Sequence, residues 1–123
     1  MKKILVNHTN HLSAQWSPEQ IAAAEEYGEI ADFPFPNINA NFDEVQIAEL
    51  VEVNGKKIIA MNPAAVLCQG EYSYTYAMIN FLRKNNVIVI AAASERIVEE
   101  RVTEGGATQK ISMFKFVRFR QYQ

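Results

Sequence analysis

Ala64-Ala65-Val66-Leu67-Cys68-Gln69-Gly70-Glu71-Tyr72-Ser73-Tyr74-Thr75-Tyr76 is the stretch that decides the fold. Ala64–Cys68 is a continuous apolar run behind Pro63, the pattern of a strand buried on both faces. Gln69-Gly70-Glu71 makes a turn, and Tyr72 to Lys84 reads as a helix with Thr75, Met78, Ile79 and Leu82 on its inward face. Asn85-Asn86 ends that helix, and Val87–Ala93, the most apolar segment of the chain, supplies the next strand. A strand, a helix and a second buried strand in succession make a parallel crossover.

Working outward toward the N-terminus, Ile30–Phe33 reads as a strand ended by Pro34 and Pro36, with an Asn-rich loop to Asn41. Asp43 and Gln46 offer a helix cap, after which Ile47, Leu50, Val51, Asn54, Ile58 and Met61 share one helical face. Val51-Glu52-Val53, Asn54-Gly55 and Lys56-Lys57-Ile58 also spell a hairpin. The helix is favoured over residues 45–61 because a parallel crossover is needed there, although Gly55 weakens it by about 1 kcal/mol relative to alanine. Further upstream, Ser17, Pro18 and Gln20 give an N-cap, a first-turn proline and a capping box, with Trp16 and Ile21 at staple positions. That helix runs through Ala22–Ala24 and is expected to stop at Gly28 in a left-handed cap. Ile4–Val6 opens the chain as a short strand, followed by the polar run Asn7–Ser13. At the other end, Ile97–Val102 and Ile111–Phe119 flank Glu104-Gly105-Gly106 and predict an antiparallel hairpin. The expected architecture is α/β: a Rossmann-like, mostly parallel sheet flanked by helices, with a C-terminal antiparallel β-hairpin, in one domain over residues 1–123.

The composition bounds the function. The 123 residues carry 12 Lys+Arg and 14 Asp+Glu, a formal charge of −2. There is no basic excess for long nucleic acid or an acidic membrane. The balance hides a split: residues 1–52 hold two bases against nine acids, and residues 53–123 hold ten bases against five acids. This points to an anionic partner for one face, or to halves that pair with each other on folding. The single cysteine, Cys68, sits in an apolar run and has no partner for an internal disulfide. The apolar run Ile4–Val6 is too short for a signal peptide, and no segment is long enough to span a bilayer, so a cytoplasmic protein is expected.

In open α/β sheets ligands bind at the carboxyl ends of the strands, near the switch point. Three segments are expected to meet there: Asn7 to Ser13, Gln69 to Thr75, and Ser94-Glu95-Arg96. Gly70 permits close backbone approach, and the helix starting at Tyr72 presents free N–H groups with the Ser73 and Thr75 hydroxyls, a pattern suited to phosphate. It lacks the lysine and spacing of a Walker loop. Tyr72, Tyr74 and Tyr76 point in different directions, leaving one or two to stack on a base, with core packing the competing role. Arg96, at the end of a buried strand, can clamp a phosphate or pair with Glu95, Glu99 or Glu71. His8 and His11 are the two histidines. No third ligand of suitable spacing accompanies them, so no metal site is expected; proton transfer is the more plausible chemistry, with loop hydrogen bonding as the alternative. The C-terminal Arg118 and Arg120 alternate with Val117 and Phe119 and either edge a nucleic-acid surface or blunt a sheet edge.

Leu67-Cys68-Gln69-Gly70-Glu71 with Thr75-Tyr76, then Ala92-Ala93-Ser94-Glu95-Arg96, Gly105-Gly106 and Phe114-Lys115-Phe116-Val117-Arg118-Phe119-Arg120-Gln121-Tyr122, resembles a family of small CRISPR-associated proteins that accompany type III interference systems. The likeness covers the C-terminal half, and Asn7-His8 is compatible with it. The resemblance implies a CARF-like fold, a homodimer, and a ring nuclease or binder of cyclic oligoadenylate, with cyclic tetra-adenylate the expected ring and no cofactor. The implied cut is metal-independent: a ribose 2′-hydroxyl attacks its own phosphate, which requires in-line positioning and charge stabilisation. For that substrate the expected catalytic residues are His8, His11 and Arg96. The expected ligand-binding residues are Asn7, Gln69, Gly70, Glu71, Tyr72, Ser73, Thr75, Tyr76 and Ser94. A non-catalytic sponge or sensor of the ring would use the same pocket, and a protein-interaction subunit is a third possibility.

Overall fold

The computed structural model describes residues 2–123. In chain order it contains β1 (Ile4–His8), a 3₁₀ turn (Ser13–Gln15), α1 (Pro18–Glu25), β2 (Glu29–Asp32), α2 (Glu44–Ala60), β3 (Ala65–Cys68), α3 (Tyr72–Lys84), β4 (Val89–Val102) and β5 (Thr108–Gln121). The five strands form one sheet in the order β2-β1-β3-β4-β5. The first four are parallel, and β5 runs antiparallel beside β4. The expected α/β class, mostly parallel sheet and C-terminal antiparallel pair are therefore present.

Side-chain alternation along the strands divides the interior into two layers. Val6, Val66, Cys68 and Val89 face α2 and α3, where they pack with Ile47, Val51, Ile58, Tyr74, Met78 and Leu82. Leu5, Ala65, Leu67 and Ile90 face the other way and bury Ala24 of α1, with Trp16, Tyr27 and Phe119 around them. β3 is buried at all four positions, as its unbroken apolar run requires.

The helix at residues 45–61 prevails over the hairpin. Asp43 and Gln46 form the reciprocal capping box, and Ile47, Val51, Gly55 and Ile58 make the buried stripe. Gly55, which weakens the helix locally, is needed for packing: a Cβ there would collide with the Phe81 ring of α3. α3 matches its expected bounds and is followed by Asn86 in the left-handed region at φ 63°.

Two expectations need correction. Gly28 is not a left-handed cap: α1 ends at Glu25, and Gly28 has φ +158° because its backbone lies against Lys3, where a Cβ would come within 2.5 Å of the carbonyl carbon and oxygen. The fourth strand does not end near Ala93, and the hairpin is not a separate unit. β4 continues through Ser94-Glu95-Arg96 to Val102, and β5 returns beside it, with a register shift at Ala93/Ser94. The turn residues Glu104-Gly105-Gly106 do sit at the tip. Pairing with β5 satisfies the β4 backbone far beyond β3, whose register with β4 covers only Val66↔Val89 and Leu67↔Ile90. Residues beyond the register shift therefore form a two-stranded ribbon extending from the sheet.

Candidate functional site

The strand order reverses between β1 and β3, so their carboxyl ends flank the switch point. A cavity of about 640 Å³ lies there. Its walls come from the segment after β1 (Thr9, Asn10, His11), the entry to α1 (Gln15, Trp16, Ser17, Gln20), the end of β3 (Leu67, Gln69, Gly70) and the start of the ribbon (Ala92, Ser94, Phe114, Phe116). None of these residues is a lysine, arginine, aspartate or glutamate. The lining is therefore made of amides, hydroxyls, His11 and aromatic side chains.

The β1–α1 wall is held by a small network. Asn7, buried at the end of β1, donates through Nδ2 to the His11 carbonyl (2.9 Å) and to Asp32 Oδ1 (2.8 Å), while its Oδ1 accepts from Thr9 Oγ1 (2.8 Å). Asp32 also accepts from the Ser13 backbone N–H (3.1 Å) and hydroxyl (2.8 Å). Partial burial pushes the Asp32 carboxyl up, but the hydrogen bonds from Asn7 and Ser13 outweigh it and hold the group below its ordinary value. Asn7 thus positions the wall and has its side chain already engaged. Asp32, not singled out by the sequence reading, occupies the carboxyl end of β2 directly beside Asn7, a place the parallel pairing of β1 and β2 makes inevitable.

His8 points to the opposite layer. It is fully buried, and its Nδ1 lies 2.8 Å from the Phe33 carbonyl. A carbonyl can only accept, so Nδ1 carries the hydrogen and Nε2 accepts from the Tyr74 hydroxyl at 2.7 Å. The Tyr74 oxygen accepts in turn from Asn54 Nδ2 at 3.2 Å. Phe33, Phe35 and Tyr74 surround the imidazole, with ring centroids 5.3, 5.3 and 5.6 Å away. Burial lowers the His8 pKa, and the Phe33 hydrogen bond opposes this only in part. His8 is a neutral core histidine of fixed tautomer, separated from the cleft by the sheet. Of the two histidines, only His11 lines the cavity.

The turn after β3 divides in the same way. Gln69 and Gly70 line the cleft, and Gln69 Oε1 accepts from the Ala92 backbone N–H at 2.6 Å, linking β3 to β4. A Cβ at Gly70 would collide with the Phe35 ring, so this glycine serves packing on the far side as well as access. The N-terminus of α3 is occupied from within: the Glu71 carboxylate accepts from the Tyr74 N–H (2.8 Å) and from the Ser73 hydroxyl (2.8 and 2.6 Å). These bonds, the Ser73 hydroxyl first, hold the Glu71 carboxyl below its ordinary value. The Tyr74 N–H and the Ser73 hydroxyl, two of the donors expected to meet a phosphate, are therefore already used by an anion of the chain. Tyr72 and Tyr76 stand in solvent, 94% and 72% exposed, away from the cleft lining. Thr75 is buried in the core, and its hydroxyl has no hydrogen-bond partner.

Ser94 lines the cleft. Arg96 lies beyond it on the ribbon, cross-strand from Phe114, with its Nε donating to Ser112 Oγ at 2.7 Å. It stands mid-strand and not at a strand terminus. The three expected catalytic residues are thus not brought together. The entry to α1, with Trp16, Ser17 and Gln20, and the aromatic pair Phe114 and Phe116 are the parts of the site that the sequence reading missed. Ser17 caps α1 by accepting from the Gln20 N–H at 3.2 Å, which aims the start of that helix at the cavity. Among the described residues, no helix is long and apolar enough to cross a membrane, and no three His, Cys, Asp or Glu side chains cluster as metal ligands.

Comparison with known proteins places the chain in a family. The model of the Uncharacterized protein MJ1673 family matches residues 3–120, and the chain belongs to that family. It is similar to Uncharacterized protein MJ1673 of Methanocaldococcus jannaschii, 39% identical over 57 residues, which is 46% of this chain and 43% of the relative. The aligned stretch is thus less than half the length of that curated relative. No solved structure matches the chain.

Proposed function

For a member of the MJ1673 family with a cleft of aromatic and amide side chains at its switch point, we propose that the ligand is a cyclic oligoadenylate of type III CRISPR signalling. In this reading the fold is a CARF-like variant of the Rossmann architecture, and the protein acts as a homodimer. The observation that carries the reading is the cleft lining: the aromatic side chains of Trp16, Phe114 and Phe116 together with the amides of Asn10, Gln15 and Gln20. Adenine asks for that combination, since stacking is worth about 1–3 kcal/mol per base and side-chain amides can hydrogen-bond its edge. The cavity falls within the range of roughly 300–1,000 Å³ common to small-ligand sites. Pro18 has no N–H and the Gln20 N–H is taken by Ser17, so phosphate contacts would come from the side-chain amides of Asn10, Gln15 and Gln20.

Binding without cleavage is the form that this geometry supports best, because His8 is sequestered and the α3 terminus is filled. Ring cleavage is the second reading, and His11 favours it. This imidazole lines the cleft and could take the proton from a ribose 2′-hydroxyl as that oxygen attacks its adjacent phosphate. The P–O5′ bond then breaks, the leaving 5′-oxygen takes a proton from water to become a hydroxyl, and a linear product ends in a 2′,3′-cyclic phosphate. The test is incubation of the full chain with labelled cyclic tri-, tetra- and hexa-adenylate in EDTA. Intact ring retained on the protein supports the binder. Linear product with a cyclic phosphate end, lost in His11→Ala, supports the nuclease. No binding of any ring refutes both.

A further inference from the structure

From Ser94 to Val102, the edge of β4 turned away from β5 has no strand partner among the described residues. The sequence along that edge is Ser94-Glu95-Arg96-Ile97-Val98-Glu99-Glu100-Arg101-Val102. Its charges are arranged about Val98. When the strand is laid antiparallel on a second copy of itself with Val98 opposite Val98, Glu95 meets Arg101 and Arg96 meets Glu100. The symmetry repeats both, giving four opposite-charge pairs and no like-charge pair. Cross-strand partners point to the same face, so the Glu95–Arg101 pairs stand on one side of the ribbon and the Arg96–Glu100 pairs on the other.

We propose that two copies of this chain join edge to edge through β4, with the two-fold axis at Val98. The ribbons would then form a continuous four-stranded sheet in the order β5-β4-β4-β5. The other edge of the ribbon offers no such match. β5 carries Lys110, Lys115, Arg118 and Arg120 and no acid, so self-pairing there sets bases against one another in the absence of any counter-charge. Arg96 donates within the ribbon to Ser112 Oγ at 2.7 Å, while the ion pairs of the β4 charges are exposed and loose: Glu99 with Arg101 at 3.4 Å and Glu100 with Lys110 at 4.0 Å. Such contacts are worth little and yield to cross-strand pairs. Val98 and Val102, 53% and 77% exposed, would gain cover. Two-stranded ribbons are marginal in water and gain stability when strands are added, which supplies the driving force.

The pairing has a consequence for the cleft. Val102 of the second copy falls opposite Ser94, a cleft residue, so the partner's ribbon tip would form part of the cleft rim. The interface deepens the homodimer reading above but does not depend on the ligand, and the test contains none. Sedimentation equilibrium of the full chain is expected to give a dimer. Glu95→Arg and Arg101→Glu, each of which sets like charges opposite one another twice, should raise the dimer dissociation constant at least tenfold. The double variant E95R/R101E should restore it to within about threefold of the parent. Arg96→Glu, Glu100→Arg and their double variant give the same test on the other face, with thermal unfolding confirming that each protein is folded. A monomeric parent overturns the proposal. So does a dimer indifferent to single reversals at both pairs, or a loss that neither double variant restores.

Discussion

Replacing His8 by glutamine probes the buried relay that separates the core histidine from the cleft. His8 is fully buried with both ring nitrogens bonded, Nδ1 to the Phe33 carbonyl and Nε2 to the Tyr74 hydroxyl. A glutamine amide can satisfy one of these positions, leaving the other group unpaired at a cost of about 1–3 kcal/mol. The pH dependence is more diagnostic. Burial lowers the folded-state pKa of His8, while in the unfolded chain the imidazole titrates near its ordinary value of about 6.5. Above that value the imidazole is neutral in both states, and its contribution to stability is fully present. Below it the unfolded state takes up the proton and the folded state does not, so stability falls as pH falls, with a limiting slope of about 1.4 kcal/mol per pH unit. Between pH 7 and 5.5 the loss amounts to at most about 1.3 kcal/mol. Urea unfolding followed by circular dichroism, across that window in parent and His8→Gln, isolates the effect because the other titrating groups cancel in the difference. The gap between the two proteins should narrow as pH falls. Stability curves that stay parallel from pH 7 to 5.5 refute a buried neutral His8.

Other consequences are simpler to check. Gly28→Ala places a Cβ 2.5 Å from Lys3 backbone atoms that cannot swing away, so it should cost about 1–3 kcal/mol in chemical denaturation. Glu71→Ala removes the cap of α3 and should cost about 1 kcal/mol, seen as a lower melting temperature at pH 7. Because the folded Glu71 carboxyl titrates below its ordinary value, that difference should shrink as the pH is lowered through the carboxylate range. Burial pushes the Cys68 thiol up to about 12, so it should resist alkylation in the native protein and react only on unfolding, as mass spectrometry would read.

Local rules carried most of the fold. The apolar run at Ala65–Cys68, the Ser17 and Asp43 caps, and the Asn86 stop are short-range signals, and each stands where its residues require. The length of β4 was not legible in the same way. Ser94, Glu95 and Arg96 read as the end of a buried strand, with Ile97–Val102 a separate hairpin strand, whereas pairing with β5 keeps residues 94–96 extended in solvent and joins the two into one strand. The two histidines show the same limit at the site. His8 follows a buried strand residue by one position, and alternation puts it in the layer opposite Asn7, away from the cleft. Which layer holds the ligand depends on the packing of α1 against one face and α2 and α3 against the other, and that is a property of the whole sheet. Glu71 was read as part of an anion-binding turn, but its own carboxylate fills the donors at the start of α3. The aromatic pair Phe114 and Phe116 shares the cleft face with Ser94 because the register shift at Ala93/Ser94 skips Val117, so that Phe116 stands opposite Ser94 and Phe114 opposite Arg96.

Trp16 is the single tryptophan of the chain and lines the cleft, so its fluorescence reports occupancy directly. Titration of the full chain with cyclic tetra-adenylate in EDTA should produce a saturable change in that fluorescence, and Phe114→Ala with Phe116→Ala should weaken the binding at least tenfold. Tyr72→Ala, on the exposed face of α3, should leave it unaltered. No saturable change with any cyclic oligoadenylate, or one abolished by Tyr72→Ala and indifferent to the phenylalanines, would contradict the assignment of this cleft.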